Sequence, residues 1–292
     1  MNSASDGPVP ARRAASESTV AQDDGAAAAV MRWGRRALML PRVAALAAGA
    51  PRDSHRAWRE YWTSIQHTGD DGEVLWDSSA DTELAGYRAL AAEFFDPTLP
   101  IVDLGCGNGR FTRGLADLGS RAIGVDLAAA AVQLSAAETG PDAHVEFLDA
   151  DITAAVCGPR LRERFGECNV FVRGVLHVLT QPERDRLAGT IASLLGTRGR
   201  ALIAETDFRA GLMAYLEHLG AGPRHIPPPL AKAIAMLPRP HHFGAPEASA
   251  TFPRGDWDFI VAQSTTILTV PTQGDASPET IPGYLAVLAR RS

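Results

Sequence analysis

Cysteine is scarce in this chain: Cys106, Cys157 and Cys168 are an odd number and contain no C-x-x-C pair. That excludes a disulfide scaffold and a cysteine-built zinc site, and it fits a reducing, cytoplasmic setting. An excess of basic charge is also missing. Lys and Arg total 28 against 34 Asp and Glu, a net charge of -6, so the chain offers no electrostatic footprint for RNA or DNA and a small-molecule partner is expected. No apolar run reaches the roughly 20 residues that a spanning helix needs, so no stable membrane insertion is expected. The apolar stretch of residues 31–50 is interrupted by Pro41-Arg42 and lies too far from Met1 to read as a signal peptide. Its mixture of Trp33, Leu38, Met39, Leu40, Val43 and Leu46 with Arg32, Arg35, Arg36 and Arg42 suits either a membrane-surface helix or a helix docked on the domain. His241-His242, with His225 nearby, lacks a carboxylate or cysteine at ligand spacing, and adjacent side chains diverge, so no metal is expected. Large apolar residues are few in residues 1–30, which read as a disordered tail. No internal repeat is visible.

Against these absences stands one dense signal, Ile101-Val102-Asp103-Leu104-Gly105-Cys106-Gly107-Asn108-Gly109. The apolar residues suit a buried parallel strand, and the glycines permit positive φ and close backbone approach to a ligand. A helix is predicted directly after it, with Phe111, Leu115 and Leu118 at i, i+4, i+7 and Gly119 as a left-handed C-cap. Strand, glycine turn and helix start form the adenosine-binding corner of a doubly wound α/β sheet. The spacing is G-x-G-x-G, not the G-x-G-x-x-G of pyrophosphate-binding turns, and Asp103 stands two positions before the first glycine. A carboxylate there favours a cationic ligand. Cys106 reads as a small packing residue of the turn. Arg121-Ala122-Ile123-Gly124-Val125-Asp126 is a second strand ending in an acid 21 positions after Gly105, the spacing of a ribose-binding carboxylate.

These residues resemble the class I S-adenosylmethionine-dependent methyltransferases, whose first motif matches at every position from 101 to 109. The resemblance covers residues 95 to 206 well and continues more weakly from 257 to 290. It implies an α/β fold with a doubly wound, mostly parallel seven-stranded sheet, an N-terminal helical lid (31–97), a methyltransferase domain (98–292) and a substrate-cap insertion after strand five (207–256). It implies S-adenosylmethionine as cofactor, held by Asp103, Gly105, Cys106, Gly107, Asn108, Asp126, Leu127, Asp151, Ile152 and Arg173. In Val145–Ile152, a third strand, Asp151 would accept from the adenine amine while Ile152 packs on the ring, with Asp149 competing for the first role. The buried strand from Asn169 to His177 would end under the methionine part.

Arg173 departs from the family, which commonly has an acidic or polar residue there. Its carbonyl still suits the cofactor's ammonium, and its guanidinium suits either an acceptor carboxylate or phosphate or a structural pairing with Glu205. Trp58, Tyr61, Trp62 and Ile65 fall on one face of a helix predicted over 53–65, and a second amphipathic helix carries Leu84, Tyr87, Ala91 and Phe94. Trp58, Trp62 and Trp76 are candidate substrate contacts on a lid, with core packing as the other reading; Trp76-Asp77 resembles, thinly, the thiopurine-methyltransferase-like branch. Thr180-Gln181-Pro182-Glu183 is a capping-box signature. Prolines at 223, 227, 228, 229, 238 and 240 break the cap into short pieces. His177, just past strand four at the carboxyl edge of the sheet, is the candidate general base, and Glu205 a candidate substrate contact. The expected activity is methylation of a small, apolar or aromatic metabolite; the alternative is a non-catalytic protein that binds the same cofactor as a regulator or assembly partner.

Overall fold

The computed structural model describes residues 17–141, 144–272 and 277–291. Three helices precede the sheet: α1 (Glu17–Ala47), α2 (Ser54–Thr63) and α3 (Asp81–Phe94). α1 starts inside the stretch expected to lack structure; residues 1–16 of that tail lie outside the described residues. Pro41 sits within α1, and Met39 and Val43 bury its inner face while Trp33 and Leu38 stay exposed. No described helix is long and apolar enough to cross a membrane. α2 begins where the Asp53 carboxylate accepts the Arg56 N–H at 2.6 Å, an N-cap that satisfies a donor the helix cannot. Its apolar face then turns Ala57, Tyr61 and Trp62 inward.

The chain alternates strand and helix thereafter: β1 (Ile101–Leu104), α4 (Arg110–Leu115), β2 (Ala122–Asp126), α5 (Ala129–Thr139), β3 (Val145–Asp149), α6 (Cys157–Phe165), β4 (Asn169–Arg173), α7 (Gln181–Leu195) and β5 (Ala201–Thr206). Three short helices follow, α8 (Leu212–His218), α9 (Pro228–Met236) and α10 (Ala245–Thr251), before β6 (Trp257–Thr269) and β7 (Glu279–Arg290). The strands form one sheet in the order β3-β2-β1-β4-β5-β7-β6, with β7 antiparallel to both its neighbours. This is the class I methyltransferase fold expected from the sequence.

The pleat explains the core, because alternate residues of a strand face opposite sides. Val102, Leu104, Val170 and Val172 join one apolar cluster, and Ile101, Phe171 and Leu202 join the other. Both faces are covered by helices, as an inner parallel sheet requires. The capping box of α7 is present, with the Glu183 carboxylate accepting the Thr180 N–H at 2.8 Å.

Three local expectations need correction. The helix after the glycine turn ends at Leu115 and tightens into a 3₁₀ turn over Ala116–Leu118, while Gly119 is extended (φ -138°), not left-handed. Its glycine is required by crowding: a Cβ would stand 2.8 Å from the Leu99 carbonyl oxygen. β4 ends at Arg173 because Gly174 turns to φ +73°, and β3 stops at Asp149, short of Ile152.

Candidate functional site

Two adjoining cavities open at the carboxyl ends of β1, β2 and β4, and they share Trp58, Trp76, Arg173 and Gly174. The first holds about 690 Å³ of empty space out to its mouth and is lined by Gly105, Gly107, Asp126, Leu127, Asp151 and Ile152, among others. Gly105 and Gly107 both take positive φ (82° and 54°). A side chain at Gly105 would strike Val175, and one at Gly107 would meet the Trp62 ring at 2.8 Å. So α2 is laid against the glycine turn, and only bare backbone fits between them.

Asp126 accepts the Gly107 N–H at 3.0 Å and the Ala128 N–H at 2.9 Å. Burial nevertheless lifts its carboxyl above the usual range, those backbone donors opposing the rise. Asp151 behaves oppositely: burial raises it, yet bonds from the Thr153 N–H and hydroxyl, with His55 and Arg59 nearby, bring the net below its ordinary value. His55 Nδ1 lies 3.6 Å from Asp151. Sequence reasoning missed His55; its place three residues before Trp58, on the face of α2 that turns to the sheet, was the available signal.

Other predicted cofactor residues stand behind this lining. Asp103 is fully buried below the loop, accepts the Thr112 hydroxyl at 2.6 Å, and is pushed up to about 7 by burial. Cys106 is buried with its thiol raised by burial. Asn108 donates to Asp77 at 2.8 Å, and Asp77 also accepts the Gly69 N–H at 2.7 Å. Asp77, named in the sequence only as half of the Trp76-Asp77 pair, thereby ties the N-terminal segment to the glycine turn.

Arg173 does not pair with Glu205. The two share neighbouring strands, but Arg173 is in register with Ala204, so Arg173 and Glu205 point to opposite faces of the pleat. The guanidinium instead meets Glu83 of α3 through two bonds of 2.7 and 2.9 Å, and also donates to the Trp76 and Leu268 carbonyls at 3.1 Å. Both side chains of the pair are 5% exposed. With its donors spent internally, Arg173 is not a free anion receptor.

Glu205 lies behind the wall and touches neither cavity. It is fully buried and accepts the backbone N–H groups of Val175 (2.9 Å), Leu176 (2.8 Å) and His177 (3.2 Å). His177 Nδ1 stands 2.7 Å from Glu205 Oε2, the same oxygen that accepts the His177 N–H. A carboxylate only accepts, so Nδ1 carries a hydrogen, and in the neutral imidazole the lone pair is on Nε2. His177 lines the second cavity.

That second cavity, about 1040 Å³ out to its mouth, is walled by α1, α8 and α9 through residues such as Val43, Leu216, Leu230 and Ile234. Trp58 and Trp76 divide it from the first cavity, their rings edge-to-face at 5.5 Å. Trp62 stays on the first side. Among the described residues, no group of three His, Cys, Asp or Glu side chains is placed to hold a metal ion.

A doubly wound sheet closed by an antiparallel β7, with a glycine turn after β1 and acids after β2 and β3, defines the class I S-adenosylmethionine-dependent methyltransferases. Residues 101–199 match the family model described as "Methyltransferase domain", and the sheet order is that of this class. No curated protein matches the sequence. Among solved structures the chain is similar to an S-adenosylmethionine-dependent methyltransferase from Anabaena variabilis, at 22% identity and a TM-score of 0.71, covering 83% of this chain and 97% of that one. It is also similar to a protein described for the conversion of a disulfide bond into a thioacetal group during echinomycin biosynthesis, at 20% identity and a TM-score of 0.55, covering 74% and 84%. At these identities the likeness is one of fold.

Proposed function

We propose that the chain transfers a methyl group from S-adenosylmethionine to a hydroxyl of a small, apolar or aromatic metabolite, with His177 as general base. The residues present fit that cofactor: bare backbone of Gly105 and Gly107 on the cavity wall, and acids at Asp126 and Asp151. Asp126 would hold the ribose hydroxyls, Asp151 the adenine amine, Ile152 and Leu127 the ring's apolar faces, and the loop backbone the amino-acid end. The cofactor supplies, when bound, a methyl carbon already activated by the sulfonium. The protein's own work is alignment, exclusion of water and removal of a proton.

The observation that carries the reading is the His177–Glu205 pair. Glu205 fixes the ring and its tautomer, so Nε2 is the basic atom on the wall of an apolar, acceptor-sized cavity. A transferase needs such a cavity beside the adenosine site, and a protein that only binds the cofactor does not require one. The three cysteines are free and buried, which suits a reducing, cytoplasmic location.

The test is transfer from a methyl-labelled donor to a panel of hydroxylated aromatic metabolites, with His177→Ala and Glu205→Gln alongside. A rate loss of about 10²- to 10⁴-fold at neutral pH for His177→Ala, with donor affinity intact, is the expected result. Undiminished turnover in that variant would remove His177 from the reaction.

A further inference from the structure

The acceptor cavity continues outward into a vestibule of about 920 Å³, and the two share Thr206, Leu212, Tyr215, Arg239 and Pro240. Carboxylates are confined to one side of the site. The cofactor-side cavity has Asp126 and Asp151 on its wall, whereas no Asp or Glu is among the described residues lining the acceptor cavity or its vestibule. Cations line both. Most of them are spoken for: Arg173 is held by Glu83, Arg209 by Asp207 at 2.9 Å and Glu247 at 2.8 Å, and His242 stands 3.3 Å from Glu247. Among the described residues Arg239 has no ion-pair partner, and it is the only arginine common to cavity and vestibule.

Resting on the methyltransferase reading, we propose that Arg239 is an anion-recognition residue and that the acceptor is amphiphilic: an apolar body in the cavity bearing a carboxylate or phosphate that Arg239 takes at the mouth. The segment is placed for this. The His241 N–H donates to the His177 carbonyl at 2.9 Å, so the irregular stretch carrying Arg239 is tied to the residue proposed as base. Pro238 and Pro240 flank Arg239 and restrict the backbone that carries it. His241 reports the local field: burial, then the cations Arg184 and Arg239 and the histidines His242 and His177, push its protonation below the ordinary range. An exposed guanidinium alone would contribute little. Here the apolar body of the ligand would close the cavity mouth around the pair and reduce its access to water, where charge-assisted bonds strengthen.

The test uses the full chain saturated with S-adenosylhomocysteine and three probes, 2-naphthol, 6-hydroxy-2-naphthoate and 2-naphthyl phosphate, titrated calorimetrically at low salt. At least one anionic probe should bind about tenfold or more tightly than naphthol, and which anion gains more distinguishes carboxylate from phosphate. Arg239→Ala should erase the preference while leaving naphthol binding in place, and Arg239→Lys should keep part of it. A wild-type preference below about twofold, a preference that survives Arg239→Ala, or no binding by any probe overturns the proposal. Failure to bind S-adenosylhomocysteine itself is a separate outcome, and it would strike the underlying methyltransferase reading.

Discussion

Single residues of the site act through burial more than through exposed charge. Asp103 lies fully buried with a carboxyl lifted to about 7, well above its unfolded value. The folded chain therefore keeps a proton that the unfolded chain gives up, and this group's contribution to stability is lost as pH rises from about 4 to about 7. Thermal unfolding across that window should show Asp103→Asn flattening the decline, and identical pH profiles would contradict the assignment. The Arg173–Glu83 pair is the complementary case. Removing Glu83 leaves a buried guanidinium unpaired, so Glu83→Ala should cost about 3–5 kcal/mol, read as a fall in denaturant midpoint. Gly105, Gly107, Asp126 and Asp151 were legible in sequence because their chemistry sits at strand ends in a fixed order. The partner of Arg173 was not, since Glu83 is 90 positions away on a helix whose docking no local pattern encodes. Glu205 was legible as a functional candidate but not in its role, which depends on the turn at Gly174 bringing three N–H groups and His177 onto it.

Between elements, the decisive contact is α2 on the glycine turn. The expectation of a lid came from the family resemblance, with three tryptophans before the first strand as its candidate substrate contacts, and the structure adds where each one sits: Trp62 against Gly107, Trp58 and Trp76 lining both cavities. A methyl group at residue 107 faces both a left-handed backbone and the Trp62 ring. Gly107→Ala should therefore weaken S-adenosylhomocysteine binding and lower the melting temperature. Trp62→Leu in the same chain should restore part of what the alanine costs, so that the double variant loses less than the sum of the singles. Strict additivity in that cycle would mean that the helix and the turn do not press on each other. The stretch after β5 was readable mainly through its prolines, whose spacing announces short pieces without saying how α8 and α9 meet α1.

At the scale of the molecule, the sheet places an acidic, glycine-walled cavity beside an apolar one with cations at its mouth. That division matches a donor whose charge is positive and an acceptor whose body is apolar. The central claim is that the first of these cavities receives the adenosyl end of the methyl donor. Calorimetric titration of the folded chain with S-adenosylhomocysteine tests it most directly. Saturable heat is predicted, with affinity falling by about 1.5 to 3 kcal/mol in a folded Asp126→Ala variant as its charge-assisted bonds are lost. Absence of heat from the intact, folded protein, or an unchanged affinity in that variant, would contradict the account.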